Sequence, residues 1–120
     1  MKFLLMVALL VAAAVAVEKY SEEHDSFDVD ALVASTEELR KFNNCFIDKD
    51  SCSELALHFK KDLGDAVQTS CSKCNDRQKY IVKTYFAGLK EKLPEDFEVF
   101  KTKYDPENKL FDAFLNAVQK

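Results

Sequence analysis

Two glycines and two prolines in 120 residues leave this chain almost no material for tight turns. A β-sandwich or barrel of this length would need a turn signal roughly every 8–12 residues, with Gly, Pro, Asn and Asp clustered between short strands. The chain therefore has to be built from elements that reverse direction rarely, which means helices. Both prolines fit that reading: Pro94 precedes Glu95-Asp96, and Pro106 lies between Asp105 and Glu107. A proline at the first helical position with acids in the first turn is a helix-start signature.

The first sixteen residues, MKFLLMVALLVAAAVA, stand apart from the rest. One lysine is followed by an apolar run too short to span a bilayer, ending in small residues at an A-x-A site, as in a secretory signal peptide. The expected organisation is a signal peptide over residues 1–16 and one helical domain over 17–120. Cleavage would remove Lys2 and make the formal charge one unit more negative than the −4 of the whole chain. A mildly acidic domain lacks the electrostatic footprint of a nucleic-acid binder. No later segment is apolar enough to span a membrane, and the remainder is too rich in aromatics for disorder.

Hydrophobic periodicity divides the domain into six segments. Asp28–Val33 reads as a short first helix. Ser35-Thr36-Glu37-Glu38 is a capping box opening a second, with Leu39, Phe42 and Phe46 on one face. A third runs from Ser53 to Lys61 with Leu55 and Phe59 one turn apart, and Gly64 is expected to interrupt it before a further turn carrying Ala66 and Val67. Asn75 with Gln78 three residues on opens the longest helix, whose stripe is Ile81, Val82, Tyr85, Phe86, Leu89 and Leu93. The fifth begins at Pro94 and carries Phe97, Phe100 and Tyr104. The sixth is expected to open at Asp105-Pro106-Glu107 and to carry Leu110, Phe111, Phe114, Leu115 and Val118.

The four cysteines, Cys45, Cys52, Cys71 and Cys74, form a C-x6-C-x18-C-x2-C pattern in the part that would be secreted, where thiols oxidise. Four cysteines allow three pairings. Pairing of neighbours would close small loops worth at most ~2.5 and ~1.9 kcal/mol, so the core must supply most of the stability. A zinc knuckle is the rival use, but its cysteines come as two close pairs and the first spacing here is wide. Cys71-Ser72-Lys73-Cys74 has thioredoxin spacing without the surrounding βαβ pattern.

Catalytic machinery is not legible. The only histidines, His24 and His58, lie in no nucleophile or metal motif, and there is no H-E-x-x-H, G-x-S-x-G or glycine-rich phosphate loop. The reading is of a non-enzyme with no cofactor and no metal, both histidines being solvated or locally bonded. The apolar inventory is the unusual feature: nine phenylalanines and four tyrosines after residue 16, with no tryptophan. Bulky rings on short helices pack awkwardly and can leave a cavity of ligand size.

These residues resemble the insect chemosensory proteins, the OS-D-like family. The resemblance rests on the cysteine framework together with Asn44-Cys45, Asp48-Lys49, Asp65-Ala66, Lys73-Cys74, Gln78-Lys79 and Lys103-Tyr104-Asp105-Pro106. The opening from Tyr20 to Asp30 is similar to the family's Y-T-x-K-Y-D-N-x-D-V-D, and the match continues to about Phe114. It implies an all-α domain of about six short amphipathic helices around a hydrophobic channel, with disulfides Cys45–Cys52 and Cys71–Cys74. It also implies a secreted monomeric carrier in sensillar lymph or haemolymph for small hydrophobic semiochemicals: long-chain alcohols, esters, fatty acids, odorants or pheromones. A secreted developmental or interaction factor acting through a protein partner is the competing class, since fold does not fix function.

Placed on the stripes above, the resemblance implies a ligand-lining set of His24, Phe27, Leu39, Phe42, Phe46, Val67, Ile81, Val82, Tyr85, Phe86, Leu89, Phe97, Phe100, Leu110 and Phe114. Phe42, Phe97, Leu110 and Phe114 stand where the family often has tyrosine, tryptophan, another aromatic and tyrosine. His24 replaces the second tyrosine of the opening. Further departures are Glu54-Leu55-Ala56 for P-D-G and Gly64 for a frequent proline. Losing hydroxyls and an indole N–H should make the channel drier and its preference more apolar.

Overall fold

The computed structural model describes residues 18–120, so the expected signal peptide lies outside the described residues. Six helices follow in order: α1 (Val29–Ala34), α2 (Thr36–Phe46), α3 (Glu54–Thr69), α4 (Asp76–Lys92), α5 (Pro94–Tyr104) and α6 (Phe111–Val118). There is no strand among the described residues. Their starts are written locally. Asp28, Ser35 and Ser53 each accept a backbone N–H from three residues on, and Asn75 with Gln78 forms the reciprocal capping box. Pro94 occupies the first turn of α5, where its missing N–H costs nothing.

Two expectations about element boundaries need correction. Gly64 does not interrupt α3, which runs unbroken to Thr69 and ends on left-handed Ser70 (φ 54°) and Cys71 (φ 61°). Burial of Ala56, Leu63, Ala66 and Val67 along one face outweighs the ~1 kcal/mol that a glycine costs inside a helix. Pro106 does not open α6, which starts five residues later at Phe111. Residues 105–110 instead wrap around the Asp105 carboxylate, which is 3 % exposed and accepts the N–H groups of Lys109, Leu110 and Phe111 at 2.9 Å each. Burial works against that charge, but the three backbone donors outweigh it and hold the carboxyl below its usual range.

The long α4 is the centre of the bundle: α1, α5 and α6 pack on it, while α2 bridges α1, α3 and α5. The closed core gathers Phe86, Phe97, Phe100, Phe111 and Phe114, with ring centroids 4.9–6.0 Å apart, most pairs being edge-on. Disulfides join Cys45 to Cys52 across the α2–α3 turn, and Cys71 to Cys74 between α3 and α4.

The two glycines make a paired prediction. A Cβ at Gly64 would meet nothing within 4 Å, whereas one at Gly88 would lie 2.7 Å from Val33 Cβ and 2.8 Å from Val33 Cγ1. Gly64→Ala is expected to stabilise by about 0.5–1 kcal/mol through lost unfolded-state entropy and better helix propensity. Gly88→Ala makes the same gain but forces α1 off α4, for a net loss of about 1 kcal/mol. Urea midpoints measure both; a stabilised Gly88→Ala would mean that α1 and α4 do not approach closely.

Candidate functional site

An apolar cavity of about 90 Å³ lies between the N-terminal segment, α1, α2, α3 and α4. Its wall is a relay of rings. Phe27 stacks on Phe42 (5.7 Å, 17°) and tilts against Phe59 (5.2 Å); Phe42 meets Phe46 edge-on (6.0 Å), and Phe46 meets Tyr85 (5.6 Å). Tyr85 in turn meets Phe86 at 5.1 Å, which ties the cavity wall to the closed core. Leu32, Leu63, Ala66, Ile81 and Val82 fill the spaces between rings. A larger depression of about 330 Å³ beside the first disulfide is lined by Glu38, Lys41, Phe42, Cys45, Asp50, Ser51, Ser53 and Ala56, with a single ring among mostly polar side chains. The apolar, ring-rich lining, not volume, singles out the first.

The segment 18–28 closes one side of the cavity and is held by polar contacts. The Tyr20 N–H donates to the Lys73 carbonyl (3.1 Å), and its hydroxyl donates to Asp65 (2.6 Å). Asp25 accepts from Asn75 Nδ2 (2.7 Å) and Gln78 Nε2 (2.9 Å), and Arg77 donates to the carbonyls of Asp25 and Phe27 at 2.8 Å. The capping box of α4 thus serves twice, starting the helix and anchoring the segment. Polar groups are few at the cavity itself. Tyr85 donates to the fully buried Asn43 (3.3 Å), and burial raises its phenol well above the usual value, keeping it protonated. At the rim His24 and His58 meet edge-on with ring centroids 4.2 Å apart. Partial burial, with His24 and Lys61 beside it, lowers the His58 imidazole below its ordinary value.

Of the fifteen side chains expected to line a channel, eight come together here: His24, Phe27, Phe42, Phe46, Ile81, Val82, Tyr85 and Phe86. The other seven, Leu39, Val67, Leu89, Phe97, Phe100, Leu110 and Phe114, lie outside the lining. Leu39, Val67, Leu89, Phe100 and Phe114 are 0 % exposed, packed where the helices leave no gap. Sequence reasoning missed Tyr20, Ser21, Asp25, Leu32, His58, Phe59, Asp62, Leu63, Ala66, Cys74 and Gln78. His58, Asp62 and Ala66 recur at steps of four on α3, a signal that was available once that helix was known to be continuous.

A four-cysteine, six-helix domain enclosing an aromatic-walled apolar cavity defines a recognisable class of small proteins. Residues 20–112 match the insect pheromone-binding family A10/OS-D, and the chain belongs to that family. It is 38 % identical over 119 residues to the allergen Tha p 1 of Thaumetopoea pityocampa, covering 97 % of this chain and 94 % of that protein. To the ejaculatory bulb-specific protein 3 of Drosophila melanogaster it is 32 % identical over 108 residues, covering 89 % and 86 %. Its fold is that of a solved chemosensory protein in complex with bromo-dodecanol, with a TM-score of 0.74, 24 % identity, and coverage of 82 % of this chain and 98 % of that one.

Proposed function

We infer that this protein is a secreted carrier of small hydrophobic molecules with long hydrocarbon chains, which it holds in the cavity between the N-terminal segment and α1–α4. The observation that carries this reading is the wall itself: five phenylalanines, a buried tyrosine and aliphatic side chains around one cavity. The bromo-dodecanol in the related structure supports the ligand class. Two disulfides and the apolar leader at residues 1–16 support passage through an oxidising, secretory route.

The energetics suit a carrier. A twelve-carbon chain offers roughly 9–10 kcal/mol gross at ~0.8 kcal/mol per buried methylene. Ordering and translational costs reduce this to micromolar affinity, about −8 kcal/mol. Phenylalanine walls supply area without demanding hydrogen bonds, and they distinguish one methylene by only about 1–3 kcal/mol, so selectivity is broad. Phe27, Phe42 and Phe59 are half-buried, so these rings are the ones free to turn and make room for a long chain.

Displacement of an apolar fluorescent probe by dodecanol tests this. Phe42→Ala and Phe27→Ala are each expected to weaken dodecanol by about 1–3 kcal/mol, roughly 5- to 150-fold, from lost contact area. A wild-type protein that neither takes up the probe nor co-purifies with lipid, yet holds a stable protein partner, would replace the carrier reading with that of an interaction factor.

A further inference from the structure

The rim of the cavity contains a group of side chains that the carrier reading does not use. The N-terminal segment lays Glu23 and His24 against His58 of α3, thirty-four residues further along the chain. One donor atom from each of the three lies within 4.8 Å of the others. The imidazoles are positioned by rings: they meet each other at 4.2 Å, and Phe59 packs on His24 at 6.3 Å and on His58 at 5.6 Å. Glu23 is exposed and free to rotate, while both histidines are half-buried and border the cavity.

Two imidazole nitrogens and one carboxylate oxygen form a donor set suited to zinc and its first-row neighbours. Zinc bonds of ~2.0–2.1 Å put tetrahedral donors ~3.3–3.5 Å apart, so closing this group around an ion takes side-chain rotations of about an ångström. The charges beside His58 are mixed, the carboxylates of Glu23 and Asp62 against the ammonium of Lys61. Three protein ligands leave a fourth position open.

We propose that Glu23, His24 and His58 form a binding site for a divalent transition cation of the zinc type at the cavity rim, with its fourth position open to the head group of a cavity-bound carboxylate lipid. The head-group half rests on the carrier reading; the cation half does not. The site would hold the N-terminal segment to α3 and would distinguish fatty acids from alcohols of the same length, which the apolar wall alone does poorly.

Isothermal titration of the oxidised, tag-free protein with zinc chloride tests the cation half. One ion per chain is expected, with His24→Tyr and His58→Gln each weakening it at least about ten-fold and Glu23→Gln a few-fold. Circular dichroism without metal checks that each variant folds. No zinc binding, or binding unchanged in both histidine variants, overturns the site. Probe displacement by dodecanoic acid and by dodecanol, with and without zinc, tests the other half. Zinc is expected to tighten the acid several-fold, leave the alcohol unmoved, and have no effect on either in His58→Gln. Acid affinity indifferent to zinc overturns the open position. Zinc binding without displacement by either lipid sinks the carrier reading and leaves the cation site standing; displacement without zinc binding does the reverse.

Discussion

Phe114→Ala is expected to destabilise the protein by about 3–5 kcal/mol while changing dodecanol affinity by no more than about two-fold. Phe114 is 0 % exposed and packs against Phe86 at 5.8 Å and Phe111 at 5.5 Å, on the far side of Phe86 from the cavity. Truncation leaves a void among rings that cannot collapse together, so the transfer and cavity costs add. Urea unfolding and probe displacement on the same preparation separate the two effects. A large loss of affinity with little loss of stability would place Phe114 on the ligand path and join the closed core to the cavity.

The second large effect is polar. Asn43 is wholly buried on α2; its Nδ2 donates to the Asp96 carbonyl and its Oδ1 accepts from the Tyr85 hydroxyl, each at 3.3 Å. Asn43→Leu is expected to cost about 1–3 kcal/mol, because it leaves the buried Tyr85 hydroxyl without its acceptor, while the Asp96 carbonyl keeps its bond within α5. Adding Tyr85→Phe removes the stranded group and should recover about 1–2 kcal/mol, so the double variant is more stable than Asn43→Leu alone. Equilibrium unfolding of the four proteins in that cycle measures the coupling. A double variant less stable than Asn43→Leu would show that the hydroxyl has another partner.

What the sequence made legible was whatever depends on near neighbours. The Asn75–Gln78 box, the caps at Ser35 and Ser53 and the proline at the start of α5 are local devices, and each appears where its residues stand. Gly64 and Pro106 misled because tertiary structure decides them: a buried face carries α3 through the glycine, and a buried aspartate gathers three backbone donors after the proline. The apolar stripes located the aromatic rings on the right helices but could not divide them. An amphipathic face reads alike whether it meets another helix or an enclosed gap, so Phe42 and Phe114 look equivalent in sequence and are not equivalent in space. The histidine pair was invisible for a related reason, since nothing local links residue 24 to residue 58.

That division has a consequence for how such a chain can change over generations. Phe27, Phe42, Phe59 and Val82 are only half-buried and stand apart from the packed rings of α5 and α6. Substitutions there remove less packing than substitutions at Phe100, Phe111 or Phe114, so they consume little of the narrow stability margin on which a domain of this size depends. Selection can therefore reshape the cavity wall repeatedly while the other half of the molecule keeps the chain folded. Lineages built on this scaffold are free to diverge in what they hold long before they diverge in shape.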